Sequence, residues 1–204
     1  MRVIALLAAL MIAATPLRAA ETEPALETAR DLVAGAHGAL TAEAEEARDE
    51  RLKAAIAEAF AFDIWERFLV GDRAEAFTEA ERARVRELLP GFLADLYKTQ
   101  FGKGLDKKPE IIEARPARRD VLVRAEIPRA DRPALPVDWR IRDFAERGHL
   151  VIDVMVGGVS FLVLKREEFG AILEREGAEG LIAHMEENSQ IGRASCRERV
   201  FPVV

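Results

Sequence analysis

The chain has 204 residues, 50% apolar and 32% charged, the makeup of a folded domain; this excludes a polytopic membrane protein, a disordered tail and a disulfide-stapled miniprotein. One cysteine cannot form an internal disulfide, and a net charge of −6 argues against nucleic acid as a partner. A chain of this size buries roughly 70% of its unfolded surface, so neither metal nor disulfide is needed to hold it together.

Those totals pool three unlike segments. Arg2 precedes an apolar run from Val3 to Ala14, then a Thr15-Pro16 breaker and a small-residue patch at Ala19-Ala20 ahead of Glu21. That order is the pattern of a secretory signal, and the run is too short for the roughly 20 residues that span a bilayer as a helix. Residues 1–20 are therefore expected to be a cleaved signal peptide, although a cut after Ala20 places Arg18 where a small residue is preferred. At the other end, Ile191 to Val200 read IGRASCRERV, which resembles the in-frame translation of a common sequencing adapter. Residues 190–204 are accordingly expected to be a non-native tail, and codons differing from the adapter would refute that. Without Arg2 and Arg18 of the leader and Arg193, Arg197, Arg199 and Glu198 of the tail, 25 basic and 35 acidic residues remain, a net charge of −10. The working domain, 21–189, is then cysteine-free and acidic, which disfavours passive adsorption to anionic bilayers.

Within the domain, helices come first and strands later. From Glu21 the residues favour helix; Gly35 and Gly38 suggest a break, and Thr41 is a candidate N-cap for a second helix. That helix is polar to Arg51 and then carries Ile56, Phe60, Ile64, Trp65, Phe68 and Leu69 at helical spacing until Gly71-Asp72. Thr78 with Glu81 forms a capping box for a third helix carrying Val85, Leu88, Leu89, Phe92, Leu93, Leu96 and Tyr97, in which Pro90 predicts a kink or a division. After Gly102 and Gly104 the period becomes two. Val121 to Ile127 and Val137 to Arg142 alternate as half-exposed antiparallel strands, and His149 to Val156, after a turn at Glu146 to Gly148, is a third strand apolar on both faces. Gly157-Gly158 ends it, and two closing helices, Lys165 to Arg175 and Ala178 to Asn188, flank Gly177.

Motifs for chemistry are scarce. His37, His149 and His184 have no ligand-like spacing, so no metal site is expected. Gly158-Val159-Ser160-Phe161 lacks the second glycine of a nucleophile elbow, and no Gly-Lys-Ser/Thr phosphate loop occurs. Pairs such as Glu45-Glu46 and Glu167-Glu168 read as solvated helix faces. No residue is assigned a catalytic role, no cofactor is expected, and the chain is read as a non-enzyme. What stands out is apolar supply: aromatic helix stripes facing a sheet that contributes Trp139. Periodicity leaves open whether they form ordinary core or line an apolar cavity.

The stretch Leu150 to Phe161, LVIDVMVGGVSF, followed by Lys165-Arg166-Glu167-Glu168-Phe169, resembles the signature of the MlaC / toluene-tolerance family: D-V-x-V-E-G-V-S, a short gap, then an arginine and a phenylalanine opening a helix. Asp153, Val154, Val156, Gly158, Val159, Ser160, Arg166 and Phe169 fit it. The ordered set extends over about 130 residues, through the aromatic helix around Trp65, the Thr78 start, the Phe92 to Tyr97 helix, Val137-Asp138-Trp139 and the Gly177 to Ile182 segment. Gly157 departs from the usual glutamate, Leu150 from a common tryptophan, and Leu164-Lys165 from Asn-Tyr.

The resemblance implies an α+β fold: N-terminal helices packed on a twisted antiparallel sheet, closing C-terminal helices, and an apolar pocket between layers. It implies a periplasmic carrier that holds phospholipid acyl chains as cargo. Such a carrier passes lipid between an outer-membrane lipoprotein–porin complex and an inner-membrane ABC transporter complex of the Mla type. A hopanoid-associated relative and a periplasmic adapter or chaperone are the alternatives. Candidate lining residues are Phe60, Trp65, Phe68, Leu93, Tyr97, Val123, Trp139, Ile152, Val154, Phe161 and Phe169, with Ser160 and Asp153 expected to fix the strand-to-helix corner instead.

Overall fold

The computed structural model describes residues 15–41, 44–101, 108–129 and 133–194. The chain order is α1 (Thr15–Leu40), α2 (Glu45–Ala59), α3 (Phe62–Val70), a 3-10 segment Gly71–Ala76, α4 (Glu79–Phe101), β1 (Glu110–Ala117), β2 (Asp120–Ile127), β3 (Leu135–Phe144), β4 (Gly148–Val156), β5 (Val159–Ser160) and α5 (Phe161–Ala194). The five strands form one antiparallel meander in sequence order, so the α+β expectation is borne out. Residues 1–14 and 195–204, which carry most of the expected leader and tail, lie outside the described residues.

Alternation decides which sheet face is buried. Val121, Val123, Ala125 and Ile127 of β2 and Val137, Trp139 and Ile141 of β3 are buried on the inner face. The other face carries charge: Arg124 donates to Asp138 at 2.9 and 3.0 Å, and Asp120 accepts from Arg140 at 2.6 Å and from Arg142 at 2.7 Å. Helix α1 packs on the sheet and on α2. Its buried face is made largely of small residues, Ala25, Ala29, Ala36 and Ala39 beside Leu32 and Val33, and Thr28 Oγ1 donates to the His149 carbonyl at 3.1 Å.

Several local expectations change. Helix α1 runs through Gly35 and Gly38 without a break. Gly35 serves close packing instead, because a Cβ there would lie 2.9 Å from Ala55 Cβ on α2. Thr41 closes α1, its hydroxyl donating to the His37 and Gly38 carbonyls, and Ala44 precedes α2 without a side-chain cap. The single helix expected through Phe60 divides there. Phe60 is extended, pairs in parallel with Val151, and Ala61 N–H donates to the Val151 carbonyl at 3.0 Å. Strand β5 covers only Met155 and Val156 of β4, so Phe60 and Ala61 satisfy part of the edge left open, at Val151.

Helix α4 continues through Pro90, which is buried, and packing against α2, α3 and α5 holds it across the missing hydrogen bond. The capping box is present: Glu81 N–H donates to Thr78 Oγ1 at 3.2 Å, and Thr78 N–H donates to Glu81 Oε2 at 2.6 Å. Strand β1 escaped the sequence reading because it is mostly exposed and has a register shift between Ile111 and Glu113. The closing helices join as α5, kinked at Gly177 (φ 70°, ψ −170°), where a helical φ/ψ is lost. Gly157 and Gly158, at φ 60° and 85°, make the two-residue turn between β4 and β5.

Candidate functional site

The strand-to-helix corner is built by two side chains. Asp153 accepts the Ser160 hydroxyl at 2.8 Å and the Val154 N–H at 2.8 Å, while Ser160 Oγ accepts the Val163 N–H at 3.2 Å and so caps α5. Burial raises the Asp153 carboxyl above its ordinary value of 3.8, against the opposing pull of the Ser160 hydroxyl, the Leu162 and Val154 amides and the Arg140 charge. This corner sets where the first turns of α5 point. From it Phe161, Lys165 and Phe169, spaced by four, project along one helix face.

That face meets α3 and α4. Trp65 and Leu69 of α3, Leu89, Phe92 and Leu93 of α4, and Phe161, Lys165 and Phe169 of α5 line one internal void. Seven of the eight are apolar. No water-sized sphere fits among them, so the space is closed in this form and is not the roughly 300–1,000 Å³ of an open ligand pocket. Rings close it from two sides. Trp65 and Phe161 have centroids 5.9 Å apart, and Phe92 and Phe169 meet edge to face at 5.6 Å. Lys165 Nζ lies over the Phe92 and Phe161 rings at 5.4 and 5.7 Å and donates to Glu168. Near this corner Val159 of β5 and Val163 and Leu164 of the first turn of α5 are exposed apolar residues.

Of the candidate lining residues, Trp65, Leu93, Phe161 and Phe169 meet at the void. Phe60 packs on Trp65 at 5.3 Å, one layer behind it. Phe68 is covered by the Arg166 guanidinium at 5.2 Å, which also donates to Asp72. Tyr97, one turn beyond Leu93, is half-buried against the core, and burial raises its hydroxyl pKa. Val123, Trp139 and Val154 stand in one cross-strand row on the inner sheet face, the first two in the main core and Val154 partly buried against it. Ile152 is buried at the bulge between Val151 and Asp153 and lies outside that core cluster.

Leu69, Leu89, Phe92 and Lys165 line the void without having been among the candidates. Spacing held the signal for them: Leu69 follows Trp65 by four, Leu89 precedes Leu93 by four, and Lys165 is midway between Phe161 and Phe169.

An ion-pair cluster joins two of the helices that line the void. Glu66, fully buried, accepts from Arg82 at 2.7 Å and from Arg86 at 3.3 Å, tying α3 to α4. Among the described residues, no group of three or more His, Cys, Asp and Glu is placed to hold a metal ion, and no helix is long and apolar enough to cross a membrane.

Fold and void together define an α+β domain whose three converging helices enclose an apolar, lysine-rimmed space. A family model described as MlaC protein matches residues 32–187, so the chain belongs to the MlaC family, and the resemblance read from the Asp153 to Phe169 stretch is borne out. A search of the curated proteins finds no match. Among solved structures, the chain is similar to a phospholipid-binding protein from Ralstonia solanacearum, determined in complex with a phospholipid. The two share 16% sequence identity at a TM-score of 0.67, over 84% of this chain and 98% of that one, a likeness of fold.

Proposed function

We propose that this protein is a periplasmic lipid carrier, exported by the signal at residues 1–20 and acting through the domain at 21–189. It holds the acyl chains of a phospholipid and shuttles it between outer-membrane lipoprotein–porin and inner-membrane ABC transporter complexes of the Mla type. The observation that carries this reading is the void among α3, α4 and α5, where seven of eight lining side chains are apolar in a member of the MlaC family. The phospholipid held by the Ralstonia protein, which has this fold, supports it.

Magnitudes decide whether so small a void can serve. Each methylene removed from water contributes about 0.8 kcal/mol, so two acyl chains contribute tens of kcal/mol. Parting the Trp65–Phe161 and Phe92–Phe169 ring contacts costs about 0.5–1.5 kcal/mol each beyond their area burial. Protein burial therefore spares the chains the water between membranes, where their exposure is prohibitive, and the closed void is the form expected of the empty carrier. The remaining candidates, Phe60, Phe68, Tyr97, Val123, Trp139, Ile152 and Val154, would join the lining as the helices move off the sheet.

Native mass spectrometry of the protein, expressed with its leader and purified gently from a bacterial envelope, tests this. A mass increment matching an extractable phospholipid is the expected result. Apo mass alone, or a co-purifying polypeptide with no lipid, overturns it, the second in favour of an adapter.

A further inference from the structure

Trp65 presents a problem that its packing does not solve. Its side chain is 1% exposed and wedged among Phe60, Phe62 and Phe161, yet the indole Nε1–H has no acceptor among the described residues. Buried donors are paired in the great majority of cases, and leaving one unpaired costs about 1–3 kcal/mol. A phenylalanine would fill much of the same apolar site without that cost. The void that Trp65 lines admits no water-sized sphere, so solvent does not relieve the donor in the closed form. The other polar group at the void is Lys165, whose ammonium sits over Phe92 and Phe161 with its side chain 16% exposed; it is paired with Glu168 on the outer side, a partner that a phosphate would have to share or displace. An unpaired neutral donor on a side chain that lines the void and a cation at its wall describe a ligand with a neutral acceptor between its hydrocarbon and an anionic group.

We propose that Trp65 is a cargo-recognising residue: its indole N–H donates to an acyl-ester carbonyl of the bound lipid, while Lys165 pairs with the phosphate. This rests on the carrier reading above and narrows its cargo to ester-linked phospholipid. A polycyclic hydrocarbon such as a hopanoid skeleton has no acceptor to offer, and it leaves the donor unpaired.

The test compares two probes with the same headgroup and chain length, dipalmitoyl phosphatidylglycerol and its dihexadecyl ether analogue, each offered in vesicles to the full chain and to Trp65→Phe. A neutral hydrogen bond is worth about threefold to tenfold in affinity. The wild type should retain the ester lipid over the ether lipid by that factor, and Trp65→Phe should bind both about equally. A second measurement does not depend on the variant's folding. The chain has two tryptophans, so an indole-15N-labelled wild-type protein gives two side-chain signals. The Trp65 signal should move downfield with the ester probe and much less with the ether probe, and Trp139 serves as the internal control. Equal wild-type affinity for the two probes with no selective movement of the Trp65 signal, or an ester preference that survives Trp65→Phe, overturns the assignment while leaving the carrier intact. Failure of both probes to bind overturns the carrier reading and this assignment with it.

Discussion

The indole of Trp65 on α3 and the ring of Phe161 on the first turn of α5 have centroids 5.9 Å apart and planes tilted by 37°, and this contact joins the two helices at the wall of the void. Phe161→Ala removes the wall. We expect a loss of about 3 kcal/mol, the low end for Phe→Ala because Phe161 is only partly buried. We also expect increased uptake of an environment-sensitive apolar dye. Urea unfolding and dye titration read the two effects, and a variant as stable and as closed as wild type would show that Phe161 is not the barrier.

Helices α1 and α2 approach closely at Gly35 and Ala55. With only 2.9 Å between an added Cβ and Ala55 Cβ, Gly35→Ala should cost about 1–3 kcal/mol despite alanine's better helix propensity. Ala55→Gly in the same chain should restore much of that loss. A double-mutant cycle by denaturant unfolding checks the coupling, and purely additive effects would count against the contact.

Two aspartates on the outer sheet face should give opposite pH dependences. Burial pushes Asp120 up, but hydrogen bonds from Arg142 and Arg140, with their charges, more than reverse it and hold the carboxyl below 3.8. Its stabilisation is present above that unfolded value and is lost as pH falls through the lower folded one. Asp153 is held above 3.8, so its ionisation costs stability as pH rises from the unfolded value through the folded one. Relative to wild type, Asp120→Asn should therefore become more destabilising as pH rises from 3 to 7, and Asp153→Asn less so. Urea midpoints across that range decide it, and parallel trends would contradict the assigned environments.

Ser160 has a structural task, capping α5 and bonding Asp153. Ser160→Ala should cost about 0.5–2 kcal/mol, the range for a lost N-cap. Lipid retention should persist where the protein stays folded. Thermal unfolding with quantitative lipid extraction measures both, and full loss of lipid from a folded variant would give Ser160 a binding role.

Local features of this protein were legible in its sequence. The Thr78–Glu81 box, the alternation of Val121 to Ile127 and the break at Gly177 rest on hydrogen bonds and side-chain periods that span a few residues. So does the Asp153 to Phe169 stretch by which the family was read. Tertiary structure alone decided the rest. The helix expected through Phe60 is cut because its backbone satisfies the edge of β4, a strand 91 residues further on at Val151. Gly35 is a contact point for α2 and not a helix break, and Pro90 is carried by the helices around α4. A helical stripe names the apolar residues, but whether one meets sheet or void depends on the angles at which α3, α4 and α5 converge. That is why Trp139 lies in the core while Lys165, a polar residue on the face of Phe161 and Phe169, stands at the site.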